Sequence, residues 1–150
     1  MATPRRRGRE VALQILCAID ANPELDAHHA IGLHFQHFSG QEGDGEDAAK
    51  AESLDRPFTE ALVRAVQASR QDLDDQLGRV SRNWRIERMA RVERNVLRMA
   101  LYELLHMPDI PARVTINEAI ELAKRFGTAE APAFVNGMLD AALKALDLRK

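Results

Sequence analysis

The stretch from Ile86 to Met107, IERMARVERNVLRMALYELLHM, constrains the fold more than any other part of the chain. Its apolar residues Met89, Val92, Val96, Met99, Leu101 and Leu104 follow a helical period yet lie on more than one face. A helix apolar over so much of its circumference leaves little side for water, which is the mark of a domain's central helix. Other helices must therefore pack around it.

The rest of the chain supplies them. From Arg9, REVALQILCAIDAN places Val11, Ile15, Ala18 and Ile19 on one face and stops at Asn22-Pro23. ELDAHHAIGLHFQHF aligns Ile31, Phe35 and Phe38, and Pro57 opens FTEALVRAVQASR with Phe58, Leu62, Val63 and Val66. DLDDQLGRV is a shorter amphipathic stretch leading to Trp84. After the central segment, Pro108 and Pro111 interrupt firmly. TINEAIELAKRFG then turns Ile116, Ala119, Ile120, Ala123 and Phe126 to a core; Thr115 and Glu118 predict a capping box, and Gly127 a left-handed stop. A last helix opens near Pro132 with Phe134, Val135, Met138, Leu139 and Leu143 on its buried side.

No convincing period-2 strand and no internal repeat interrupts this pattern. The expectation is an all-α fold of about seven helices in two small packed bundles. Both belong to one domain spanning 1–150, with an N-terminal subdomain over about 5–79 and a C-terminal one over about 80–150. A chain of 150 residues with 45% hydrophobic content is long enough to bury such a core.

Net charge is only −2, but the charges are segregated. Residues 1–10 carry four Arg against one Glu, and 39–55 carry six acids against one Lys. That acidic stretch, SGQEGDGEDAAKAESLD, has too few large apolar groups to offset its ordering entropy, and it predicts a flexible loop. A single cysteine, Cys17, rules out an intrachain disulfide and suits a reducing compartment. No apolar run approaches the roughly 18 residues of a membrane span. There is no secretory h-region either, and Glu10 with the early helical pattern argues against a transit peptide. A cytoplasmic location follows.

Catalytic signatures are missing: there is no phosphate-binding Gly-rich loop, no nucleophile elbow and no HExxH. Cys17 reads as a small buried hydrophobe inside a helix. His28, His29, His34 and His37 cluster, but only Asp26 accompanies them, so ordinary packing or surface roles outweigh a zinc site. No metal and no cofactor is expected. Arg79, Arg82, Arg85, Arg88, Arg91 and Arg94 recur every third residue, which spirals round a helix, so a solvated, ion-paired set is the better reading. Arg5, Arg6, Arg7 and Arg9 differ because they lead straight into a helix. A solvated tail is the bland reading; an arginine arm on an ordered surface, placing guanidinium groups along a phosphate backbone, is the functional one.

Three linked motifs in order, LRMALYEL, TINEAIELAKRFG and FVNGMLDAAL, resemble those of NusB, a family of bacterial transcription antitermination factors. The Arg-rich RRRGRE and Trp84 fit the same pattern, and only the acidic stretch has no counterpart. The resemblance implies two helical bundles and a non-enzymatic adaptor that binds boxA RNA of ribosomal RNA leader transcripts. It does so together with NusE, a small-subunit ribosomal protein, within the RNA polymerase antitermination complex. By position, it implies RNA contact by Arg5, Arg6, Arg7 and Arg9, and by Phe126 and Phe134, with Glu130 near the RNA side. Glu93 lies on the helix that the family presents to NusE. Where this chain has Cys17 and Ile19, many members have aromatics, so fewer stacking platforms remain for unpaired bases. Two alternatives stay open: a detached RNA-binding domain of the ribosomal RNA methyltransferase type, and a helical protein–protein adaptor that touches no nucleic acid.

Overall fold

The computed structural model describes residues 3–40, 54–81, 85 and 88–147. The acidic stretch from 41 to 53 and Trp84 lie outside them. Seven helices and no strands occur among the described residues: α1 Pro4–Ala21, α2 Ala27–Gly40, α3 Arg56–Ala68, α4 Arg70–Val80, α5 Arg91–His106, α6 Ala112–Phe126 and α7 Ala131–Ala145. They fall into two compact units, Met1–Gln67 and Ala68–Lys150.

In the first unit, α1 begins at Pro4 rather than at Arg9, where its apolar pattern starts. The local chemistry explains the difference. Thr3 is in an extended conformation and its Oγ1 accepts from the Arg6 N–H at 3.1 Å, while proline occupies the first turn, where no N–H is needed. The arginine run is therefore helix, not a tail. Ala12, Leu13, Ile15, Leu16 and Ile19 of α1 are buried, as are Ala30 and Ile31 of α2 and Phe58, Leu62, Val63 and Val66 of α3. Full burial of one such large side chain is worth about 1.5–3 kcal/mol. Cys17, read from sequence as buried, is only half-buried.

Asp26 stands just before α2 and acts as its cap. Its Oδ1 accepts from the His29 N–H at 2.8 Å, and the His29 Nδ1 lies 3.0 Å from both carboxylate oxygens. The backbone N–H first, and the ring second, hold the Asp26 carboxyl below its ordinary range. The one carboxylate beside the histidine cluster is thus committed to a helix terminus.

In the second unit, α5 is the central helix that its pattern predicts, although it starts at Arg91 rather than Ile86. Val96, Leu97, Met99, Ala100, Leu101 and Leu104 are all buried, and α4, α6 and α7 each pack on α5 or on one another. The division between units falls before α4, because Leu73 and Leu77 are wholly buried and Asp74 bonds Arg98 of α5. Arg98 is itself 1% exposed; its Nε and Nη2 donate to the two Asp74 oxygens at 2.8 and 3.0 Å, and its Nη1 donates to Asn95 Oδ1 at 3.2 Å.

Two capping expectations fail in this unit. The start of α6 lies at Ala112, with Pro111 before it, so Thr115 is inside the helix. Its hydroxyl donates to the buried Glu103 carboxylate of α5 at 3.2 Å instead of forming a capping box with Glu118. The proline pair moved the helix start upstream, and a buried acid claimed the hydroxyl. Gly127 has φ −100° and ψ −174°, extended rather than left-handed. Glycine is needed there for closeness: a Cβ would stand 2.8 Å from both the Ala123 carbonyl oxygen and the Ala131 Cβ.

Candidate nucleic-acid interface

Four arginines at the N-terminal end of a helix oppose the macrodipole, and no acid occupies the first turn of α1. Such an end carries positive potential from the helix dipole, so adding guanidinium groups makes it a place that attracts anions. The four side chains are not equivalent. Arg5 is exposed, Arg6 and Arg7 are half-buried, and Arg9 is 4% exposed.

The start of α3 explains that gradient within the first unit. Asp55 donates its N–H to the Pro4 carbonyl at 3.2 Å, and its side chain caps α3 by accepting from the Phe58 N–H at 3.1 Å. Thr59 Oγ1 donates to the Gly8 carbonyl at 2.9 Å across 51 residues of sequence. Gly8 has no room for a side chain, since a Cβ would meet Thr59 Oγ1 at 2.9 Å and Phe58 Cδ1 at 3.0 Å. The first turns of α1 are thereby laid directly on Phe58. The guanidinium carbons of Arg5 and Arg9 lie 5.0 and 5.3 Å from its ring centroid, within cation–π range. Arg56 lies 4.1 Å over Phe35 in the same unit and bonds Glu60 at 3.2 Å.

In the second unit, Phe126 ends α6 and is half-buried, with the Arg125 guanidinium 5.4 Å from its ring centroid. Glu130 is exposed immediately before α7, and its carbonyl accepts from the Phe134 N–H at 3.2 Å. Phe134 is also half-buried. Phe126, Glu130 and Phe134 thus flank the tight turn at Gly127 between α6 and α7, each with accessible surface. Spacing alone reads both rings as core residues, and neither is one. Glu93 is half-buried in the first turn of α5, where its charge suits the dipole.

Sequence reasoning missed the partnership of Phe58 with Arg5 and Arg9. The only hint was the four-residue spacing of Arg5 and Arg9, which shares one helix face; nothing in the sequence marks Phe58, whose neighbour Thr59 lies 51 residues beyond Gly8, as their platform. The departures at Cys17 and Ile19 divide: Ile19 is core, at 2% exposed, whereas Cys17 is half-buried. Among the described residues no group of three or more His, Cys, Asp or Glu is arranged to hold a metal, and no helix is long and apolar enough to cross a membrane.

The sequence model of the NusB family matches residues 6–144. The transcription antitermination protein NusB of Geotalea uraniireducens is 47% identical over 137 residues, covering 91% of either chain. The solved structure of T. maritima NusB superposes with a TM-score of 0.75 at 34% identity, covering 96% of this chain and 93% of that one. A chain from the crystal structure of antitermination factors NusB and NusE in complex with dsRNA shares the fold, with a TM-score of 0.73 at 23% identity over 97% of this chain and 99% of that one. Motifs, helix order and likeness over almost the whole length agree, and the chain belongs to the NusB family.

Proposed function

We propose that this chain is a non-enzymatic transcription antitermination factor of the cytoplasm. With NusE it binds the boxA segment of ribosomal RNA leader transcripts, as part of the complex that carries RNA polymerase past terminators. The observation that carries the reading is kinship with transcription antitermination proteins over nearly the full length of both chains. The relatives matched over nearly their full length are transcription antitermination proteins, which favours that reading over the detached-domain alternative.

The geometry supports RNA as the ligand and suggests how the work is divided. Arg5, Arg6 and Arg7 take phosphates at an end of α1 whose first turn carries no acid of its own. Arg9 is too enclosed to follow a phosphate backbone, so it supports its neighbours rather than reaching out. Phe126 and Phe134 offer ring edges to unstacked bases, with Glu130 tuning the local potential. In this reading Glu93, in the first turn of α5, meets a basic group of NusE. So few aromatic platforms give weak binding alone and tighter binding with a second protein, and this separates the reading from an adaptor that ignores RNA. Titrating a boxA-like single-stranded RNA with the protein, with and without NusE, tests it: no RNA binding in either case leaves the protein–protein adaptor.

A further inference from the structure

We propose that Phe58, secured by Thr59, positions Arg5 for contact with RNA; this rests on the reading that the arginines at the start of α1 bind RNA. A long arginine side chain at an exposed helix end loses rotamer freedom when it grips a phosphate, and that loss weakens binding. Resting against an aromatic face removes part of the loss beforehand, because the guanidinium already lies 5.0 Å from the ring centroid on a residue that stays exposed. Arg5 is the exposed member of the pair over Phe58, and Arg9 is the buried one.

The ring is itself immobilised. Phe58 is 9% exposed and lies in the first turn of α3, where its N–H is held by the Asp55 side chain. The next residue, Thr59, is wholly buried and ties α3 to the Gly8 carbonyl. The contact at Gly8 is so close that any side chain there would push α1 off the ring. Glycine between Arg7 and Arg9 is therefore what brings the arginine-bearing turns down onto Phe58. Three features meet here: a glycine at a contact point, a buried threonine bonded to its carbonyl, and two cations over one ring. Arg9 acts as part of the platform, filling the space beside the ring so that Arg5 is left outermost.

The test is a double-mutant cycle in the full chain, with fluorescence anisotropy of a boxA-like RNA at several salt concentrations and thermal unfolding of each variant. Phe58→Leu keeps an apolar side chain and removes the ring face. It is expected to weaken RNA binding about two- to fivefold, the worth of one partly exposed cation–π contact. Phe58→Tyr, which keeps the face, is expected to restore most of that loss. In an Arg5→Ala background Phe58→Leu is expected to add nothing, because the residue through which it acts is gone. Should Phe58→Leu fold poorly, Thr59→Val loosens the same platform by removing the bond to Gly8, and the same non-additivity with Arg5→Ala is expected. Additive losses in the cycle, or unchanged affinity in folded Phe58→Leu, overturn the platform while leaving the arginines as RNA contacts. Unchanged affinity in Arg5→Ala alone overturns both.

Discussion

Arg98 and Asp74 form a bidentate ion pair in the second unit, with a guanidinium side chain 2% exposed and a carboxylate 17% exposed. Asn95 accepts a further hydrogen bond from the same guanidinium and in turn donates to the Arg91 carbonyl at 2.9 Å. The pair joins the short helix α4 to the central helix α5, beside the wholly buried Leu73 and Leu77. Removing one partner strands a buried charge, which typically costs 3–5 kcal/mol. Because Asp74 keeps some access to water, Asp74→Ala is expected to cost about 3 kcal/mol in denaturant unfolding, at the low end of that range. A loss of a few tenths of a kcal/mol would mean that water replaces the carboxylate freely.

Phe134→Ala separates stacking from packing. Full burial of a phenylalanine would make the truncation cost about 3–5 kcal/mol, and half-burial reduces that to about 2 kcal/mol. Base stacking worth about 1–3 kcal/mol is lost as well, so RNA affinity is expected to fall about tenfold while NusE affinity changes far less. Equal weakening toward both partners would reduce Phe134 to a structural residue of the α6–α7 corner.

Glu93→Lys replaces an acid with a base in the first turn of α5. The reversed dipole interaction is expected to cost about 1 kcal/mol of stability. Like-charge opposition to a basic group on NusE is expected to weaken the heterodimer well beyond that, as isothermal titration calorimetry would read. Undiminished NusE binding would remove Glu93 from the interface.

Asp26 gives α2 a pH-dependent start. Its folded pKa is lowered, chiefly by the His29 N–H and then by the His29 ring, so the capping contribution is complete above the unfolded carboxylate value of about 3.9. It is lost as pH falls below that value through the lowered folded pKa. The His29 amide resonance, followed by NMR from pH 6 downward, is expected to shift with a midpoint below 3.9, and Asp26→Asn to abolish the transition while keeping the cap. A midpoint at or above the ordinary value would show that the cap does not hold in solution.

What the sequence shows and what it conceals follow from the range of the interactions concerned. The central helix was legible because Val96, Met99, Leu101 and Leu104 repeat the helical period and are indeed buried. The all-α class and the helix order were legible for the same reason. The start of α1 was not legible from apolar period, since its first turns carry arginines; the Thr3-Pro4 pair was the true signal. Thr115 misled because local capping rules cannot see Glu103, which arrives through the packing of α5 on α6; Gly127 misled because the close approach of the Ala123 carbonyl and Ala131, not a left-handed turn, is what requires glycine there. The Phe58 platform was hidden for the same physical reason: the Gly8 contact that assembles it spans 51 residues.

The central claim is that α1 presents arginines to RNA, and the salt dependence of boxA RNA binding with NusE present tests it most directly. Three phosphate contacts, from Arg5, Arg6 and Arg7, give a slope of about −2 in log affinity against log salt, at about −0.7 per contact. That slope is expected in the wild-type protein once NusE's own contribution is subtracted, with a flattening by about 2 when all three become alanine. An unchanged slope and affinity in the folded triple variant would contradict it.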